Sequence, residues 1–107
     1  MTNALFVCSR NRKRSPTAEV VFATWPDVET DSAGLDRGAE IPLSAEQLDW
    51  ADLIFVMERK HRAKLTQMFR ARLNGKRIIC LDIPDEYEFM APELVARLEA
   101  AAGRYLR

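Results

Sequence analysis

Apolar residues along the chain are concentrated in four short runs separated by longer mixed segments. The runs lie at residues 4–7, 53–57 and 77–81, with a weaker one at residues 29–32. The run at residues 53–57, LIFVM, has no alternation of polar and apolar positions, which is typical of a parallel strand covered on both faces. The runs therefore predict four strands.

The segments between these runs carry helix signals. Ser15 and Pro16 have the composition of an N-cap and a first helical position, and residues 44–47 have the spacing of a capping box. Residues 59–73 carry apolar side chains at helical spacing, and Pro92 opens a last helical segment. Strands and helices thus alternate, which predicts an α/β fold with a four-stranded parallel sheet and helices on both faces.

The carboxyl ends of the predicted strands are where we expect chemistry, since open parallel sheets bind ligands beyond that edge. Cys8 directly follows the first strand, and a loop rich in acidic residues at 82–88 follows the fourth. We therefore expect these two segments to meet. With 107 residues, 48% of them hydrophobic, the chain is predicted to form one domain over residues 1–107.

Charge and composition argue against several classes of function. The chain has 16 basic and 16 acidic residues, so no global field attracts nucleic acid or a membrane surface. No stretch approaches the roughly 20 apolar residues of a membrane span, and the N-terminus lacks signal-peptide features. Two cysteines without a secretion signal indicate a reducing compartment, so we expect a cytoplasmic protein.

The segment between the first strand and the first helix has the pattern of a phosphate-binding loop. Residues 8–15 read CSRNRKRS, in which a cysteine is followed by five residues, an arginine and a hydroxyl. Backbone N–H groups at a helix N-terminus bind phosphoryl oxygens, and Arg14 can grip two of them with its planar guanidinium. Cys8 would then lie beneath the phosphorus and attack as a thiolate. Ser15 can donate a hydrogen bond to its sulfur, and Asn11 tolerates the left-handed backbone of a tight loop.

These residues resemble a known family. The segment VCSRNRKRSPTAE resembles the active-site loop and first helix of the low-molecular-weight protein tyrosine phosphatases. Residues 31–34 (DSAG), 51–57 (ADLIFVM) and 83–87 (IPDEY) resemble that family's second-strand end, third strand and general-acid loop. The resemblance implies a parallel sheet in the order 2-1-3-4. It also implies a cysteinyl-phosphate mechanism that needs no metal and no cofactor.

The resemblance further implies roles for individual residues. Cys8 would be the nucleophile, Arg14 the phosphate clamp and Asp85 the general acid that later activates water. Asp82 is the alternative acid, because Glu86 stands where the family usually has proline. The expected substrate-binding residues are the rest of the loop, the hydroxyl after it and an aromatic rim residue: Ser9, Arg10, Asn11, Arg12, Lys13, Ser15 and Tyr87.

Several of these side chains allow two interpretations. The three basic residues inside the loop either recognise an acidic or multiply phosphorylated substrate or form a solvated face paired with the acidic loop. Tyr87 either stacks on an aromatic substrate or caps the edge of the core. Cys80 lies in an apolar run and is expected to be a buried structural thiol, while His61 on its charged helix is expected at the surface.

The expected function is hydrolysis of a phosphomonoester, with protein phosphotyrosine or a small aryl phosphate as substrate and inhibition by phosphate-like oxyanions. No nucleic-acid or membrane partner is expected. Arsenate reductases of the thioredoxin-coupled kind share this loop, but they relay a disulfide through two further cysteines, and only Cys80 is present here. A third possibility is a non-catalytic phosphate-binding module in which Glu86 marks a lost acid.

Overall fold

The computed structural model describes all residues from 1 to 107 and contains four parallel strands in one sheet. The strands are β1 (Thr2–Cys8), β2 (Val28–Gly34), β3 (Leu53–Val56) and β4 (Arg77–Cys80). The helices are α1 (Arg14–Ala23), α2 (Ala45–Trp50), α3 (Arg59–Phe69) and α4 (Pro92–Leu106). The sheet order is β2-β1-β3-β4, so the predicted fold class and strand order are confirmed.

Strand β1 lies inside the sheet and is buried on both faces. Phe6 belongs to a core cluster with residues of α1 and α4, whereas Leu5 and Val7 belong to a second cluster with residues of α2 and α3. Phe6 also stacks between Phe22 and Phe55, with ring centroids 5.6 and 5.0 Å away. Because both faces are packed, the last residue of β1 has a fixed position at the edge of the sheet.

The helices begin close to where their sequence signals predicted. Helix α2 has the expected capping box between Ser44 and Gln47, and α4 begins at Pro92. Helix α1 begins at Arg14, so the predicted N-cap role of Ser15 is wrong; its hydroxyl lies against the sulfur of Cys8 instead.

Helix α3 ends at Phe69 and is followed by a 3₁₀ turn at Arg70–Arg72, so it is shorter than the predicted 59–73. Gly75 closes the connection to β4 with a φ of 79°. The longest helix, α4, has 15 residues. None of the helices combines the length and the apolar character needed to cross a membrane.

Gly34, at the end of β2, lies directly against the loop that follows β1. A Cβ atom at this position would lie 2.6 Å from Cβ of Ala39 and 2.7 Å from the carbonyl oxygen of Ser9. The same carbonyl accepts a hydrogen bond from the backbone N–H of Asp36 at 2.9 Å. Glycine is required here because the two backbones approach too closely for any side chain.

Replacement of Gly34 by alanine should therefore overpack this contact. We expect Gly34→Ala to lower the free energy of unfolding by about 1–3 kcal/mol in urea denaturation. Gly38→Ala is the matched control, since a Cβ there meets no atom within 4 Å. That control should leave stability unchanged or raise it by up to about 1 kcal/mol. Equal losses in both variants would contradict the close approach.

Candidate active site

The segment Cys8–Arg14, here called the anion loop, connects β1 to α1 and surrounds the sulfur of Cys8. The Oγ atom of Ser15 lies 2.9 Å from this sulfur, and the backbone N–H of Asn11 donates to it at 3.3 Å. Asn11 has the left-handed backbone that the sequence predicted, with a φ of 58°. This conformation turns the N–H of Asn11 inward, toward the sulfur.

The hydroxyl of Ser15 has three possible acceptors. Besides the sulfur of Cys8, it lies 2.9 Å from Oδ1 of Asn11 and 3.5 Å from the carbonyl oxygen of Ala33. A protonated thiol can donate a hydrogen bond to Ser15 while Ser15 donates one to Asn11. A thiolate instead accepts a hydrogen bond from the hydroxyl of Ser15. Ser15 and Asn11 therefore stabilise negative charge on the sulfur from behind, which leaves the other side open to a substrate.

Arg14 ends the anion loop, and protein groups hold one edge of its guanidinium. Its Nη1 donates to Oε1 of Glu58 at 2.5 Å and to the carbonyl oxygen of Ile83 at 2.8 Å. The other edge, formed by Nε and Nη2, makes no hydrogen bond. Its Nε forms a long ion pair with Oδ1 of Asp85, at 3.8 Å. Two parallel donors are thus free to bind two oxygens of one anion.

Glu58 lies two residues after the end of β3 and accepts a hydrogen bond from the guanidinium of Arg14. Burial opposes the negative charge on this carboxyl, but the hydrogen bond and positive charge of Arg14 outweigh it and lower the pKa of Glu58. The ionised carboxylate offsets the charge of the buried arginine. The sequence analysis did not identify Glu58, although it lies just beyond the end of a buried strand, at the same edge of the sheet as Cys8.

His61 connects α3 to the anion loop. Its Nδ1 accepts the backbone N–H of Glu58 at 3.0 Å, so Nε2 carries the proton and donates to Oγ of Ser9 at 2.9 Å. Burial, followed by the positive charge of Arg14, lowers the pKa of His61 to about 4. The predicted surface position is wrong, since the residue is only 2% exposed. Helix α3 carries many charged side chains, but the His61 side chain faces the anion loop and not the solvent.

A cavity of about 400 Å³ opens above Cys8 at the carboxyl edge of the sheet. Its lining is formed by Cys8, Ser9, Arg10, Arg12, Lys13, Arg14, Asp36 and Asp85. All of these except Asp36 were predicted as site residues. Asp36 comes from the loop after β2, which carried no motif that could have identified it. Asn11 and Ser15 are buried behind the sulfur and do not line the cavity.

The two candidate acids occupy different places in the loop after β4. The carboxylate of Asp85 lies in the cavity beside Arg14, and its side chain is 64% exposed. Asp82 lies outside the cavity, where its Oδ1 is 3.5 Å from the sulfur of Cys80 and its backbone oxygen accepts a hydrogen bond from Arg97. Of the two carboxyl groups, only that of Asp85 shares the cavity with Cys8.

Tyr87 and Cys80 also lie outside this cavity. Tyr87 packs against the core, and its hydroxyl accepts a hydrogen bond from Nη1 of Arg97 at 3.0 Å. This arrangement matches the core-edge interpretation of Tyr87. Cys80 is half-buried on the edge strand β4, and burial raises the pKa of its thiol.

Comparison with solved structures identifies the fold. A low-molecular-weight protein tyrosine phosphatase from Streptococcus pyogenes superposes with a TM-score of 0.81 at 17% identity, over 99% of this chain and 91% of that one. The tyrosine phosphatase Wzb from Escherichia coli K30, in complex with phosphate, gives 0.78 at 22% identity, over 96% and 94%. This chain has the low-molecular-weight phosphatase fold.

A third similar structure is the YwlE arginine phosphatase from Geobacillus stearothermophilus. It gives a TM-score of 0.75 at 20% identity and covers 99% of this chain and 94% of that one. No family model matches the chain, and no curated protein matches its sequence. The similarity is therefore one of three-dimensional arrangement.

The neutral state of His61 predicts a specific dependence of stability on pH. Its pKa is lower in the folded chain than the ordinary 6.5, so only the unfolded chain takes up this proton as the pH falls from 6.5 to 4. Over that interval the free energy of unfolding should decrease by up to about 3 kcal/mol from this group.

Urea denaturation of the wild type and of His61→Gln across this pH range measures that contribution. Glutamine keeps a hydrogen-bonding group but does not titrate, so the variant should show a flatter profile. Both proteins contain the same carboxyl groups, so the contribution of those remote from His61 cancels in the difference. An identical slope in the variant would mean that His61 does not stay neutral.

Proposed function

We propose that this protein is a cysteine-dependent phosphomonoester hydrolase of the low-molecular-weight protein tyrosine phosphatase family. The observation that carries the proposal is the shared cavity of Cys8 and Arg14. The sulfur has donors behind it, and the free edge of the guanidinium lies at the same opening. A tetrahedral oxyanion is the kind of group that these two side chains can bind together.

In the first step, the sulfur of Cys8 forms a bond to phosphorus while the bond from phosphorus to the leaving oxygen breaks. Asp85 transfers its proton to that oxygen, so the product leaves as an alcohol or phenol. Arg14 and the N–H groups of the anion loop hold the equatorial oxygens of the phosphoryl group. The product of this step is a cysteinyl-phosphate.

In the second step, a water molecule attacks phosphorus and the phosphorus–sulfur bond breaks. Asp85, now a carboxylate, accepts a proton from the water, and inorganic phosphate is released. The electron pair of the broken bond returns to the sulfur, and the hydroxyl of Ser15 can again donate a hydrogen bond to this thiolate. The two steps leave the enzyme unchanged and require no electron acceptor.

The positions of the two cysteines support hydrolysis over thiol redox chemistry. Cys80 pairs with Val56 of β3, which pairs in turn with Val7 of β1. Since β3 lies between them, Cys8 and Cys80 are about two strand spacings, or roughly 10 Å, apart. A disulfide requires Cα atoms within about 7 Å, so these two residues cannot form one without backbone movement.

The substrate and location that we propose are those expected from the sequence. The similar structures from Streptococcus pyogenes and Escherichia coli are described as tyrosine phosphatases, which supports phosphotyrosine or an aryl phosphate as substrate. The complex of the latter protein with phosphate supports inhibition by phosphate-like oxyanions. Two free thiols support a reducing compartment, so we propose the cytoplasm.

The nucleophile can be tested with p-nitrophenyl phosphate. We expect Cys8→Ser to abolish release of p-nitrophenol, because the alcohol is a far weaker nucleophile than the thiolate. Phosphate should still bind in calorimetry, since Arg14 and the loop backbone are unchanged. Cys80→Ser is the matched control and should retain turnover. Loss of both turnover and phosphate binding in Cys8→Ser would contradict the proposed division of roles.

The general acid can be tested with two substrates, p-nitrophenyl phosphate and an alkyl phosphate. The alkyl phosphate is included because hydrolysis of a poor leaving group depends more on its protonation. We expect Asp85→Asn to lower kcat by about 10²–10⁴. Asp82→Asn is the matched control and should retain most of its activity. If instead Asp82→Asn is the damaged variant, the acid is Asp82. If the wild type binds phosphate but releases no phenol, the protein is a binding module.

A further inference from the structure

The cavity is lined almost entirely by polar and charged residues. Of its eight lining residues, only Cys8 is apolar, and none is aromatic. Tyr87, the aromatic residue expected at the rim, packs on the core and accepts a hydrogen bond from Arg97. A phenyl ring contributes affinity mainly when apolar or aromatic groups cover it. This site must therefore draw its selectivity from charge, beyond the binding of the phosphate itself.

The basic side chains of the cavity differ in how far they are neutralised. Arg14 is buried against Glu58, and Lys13 pairs with Glu88 at 3.2 Å. Arg10, which is exposed, makes no ion pair. Three of the four cationic side chains of the anion loop thus have partners in the protein, and Arg10 has none.

Arg12 is paired only weakly. Its Nε lies 3.7 Å from Oε1 of Glu40, and the two side chains are 54% and 63% exposed. An exposed pair of this kind contributes about 0–1 kcal/mol. An anionic group on a substrate can therefore replace Glu40 with little loss, so Arg12 is available in the same way as Arg10.

The backbone of the anion loop places these two arginines at the mouth of the cavity. Asn11, between them, is buried with its N–H on the sulfur, whereas its two neighbours are exposed. The carbonyl oxygen of Arg10 accepts a hydrogen bond from the backbone N–H of Glu40 at 3.1 Å, which anchors this side of the loop. Both arginines line the cavity and are exposed, so their charges are accessible to a ligand bound there.

We propose that Arg10 and Arg12 are specificity residues that select phosphotyrosine flanked by acidic residues in a peptide. This inference rests on the proposed function and adds the substrate class. The phosphate binds to the anion loop and Arg14, while carboxylates next to the phosphotyrosine bind to the two exposed guanidinium groups. The phenyl ring acts mainly as a spacer, because no apolar wall covers it.

The test compares kcat/KM for three phosphotyrosine peptides of equal length, with acidic, neutral or basic residues on both sides of the phosphotyrosine. At low salt, we expect the acidic peptide to exceed the neutral one by about three- to tenfold, as two exposed ion pairs would give. The ratio should fall toward one in 0.5 M salt, where charges at this distance are largely screened.

Variants identify the residues responsible. In the double variant Arg10→Ala, Arg12→Ala, the ratio of acidic to neutral peptide should fall to about one. The double variant Arg10→Lys, Arg12→Lys should keep most of it, because the charge remains. Arg70→Ala is the matched control, since Arg70 is exposed, makes no ion pair and lies after the end of α3, remote from the carboxyl edge. It should keep the wild-type ratio.

Each result has a distinct meaning. If the wild type fails to hydrolyse p-nitrophenyl phosphate, the proposed function itself is wrong. If it hydrolyses this compound but does not prefer the acidic peptide, or prefers the basic one, only the substrate class is wrong. If the preference exists but survives in the double alanine variant, the two arginines are not its source, and the inference is overturned.

Discussion

The guanidinium of Arg14 joins three parts of the sheet edge, and the geometry of the candidate site depends on this one side chain. Its Nη1 binds Glu58, which follows β3, and the carbonyl oxygen of Ile83, which follows β4. Its own backbone belongs to the anion loop that follows β1. Removing any one of these contacts would leave a buried charge or a buried carbonyl without its partner, a situation that proteins avoid. The same contacts leave Nε and Nη2 unused, so the interactions that hold the arginine also direct its free donors to the cavity.

The rigidity of this edge comes from the central strands. Packing of β1 on both faces fixes Cys8, and Gly34 allows the end of β2 to lie against the backbone of Ser9. His61 adds a contact from α3 through the hydroxyl of Ser9. All four strand ends thus contribute to one small region. Preorganised donors of this kind stabilise charge well because they need not rearrange when a ligand binds.

Buried and exposed charges at this edge of the sheet are neutralised to different extents. The buried arginine is compensated by Glu58, while the exposed arginines at the mouth are almost uncompensated. A buried charge needs a protein partner because water cannot solvate it, whereas a surface charge can be left to solvent or to a ligand. This division explains how a chain with no net charge can present a locally basic cavity.

The sequence determined the elements and the anion loop, because both depend on local signals. Strand runs, the capping box at Ser44 and the cysteine-to-arginine spacing are each contained within a few residues, and so the fold class and most of the cavity lining followed from them. Glu58 and His61 were missed or misplaced, since each acquires its role from a contact with a residue 44 or 52 positions away in the chain. Asp36 was missed because it reaches the cavity only through the pairing of β2 with β1. The choice between Asp82 and Asp85 likewise required the path of the loop after β4.

Local patterns select conformations, but only the packed structure decides which side chains meet, because that depends on how the strand ends converge.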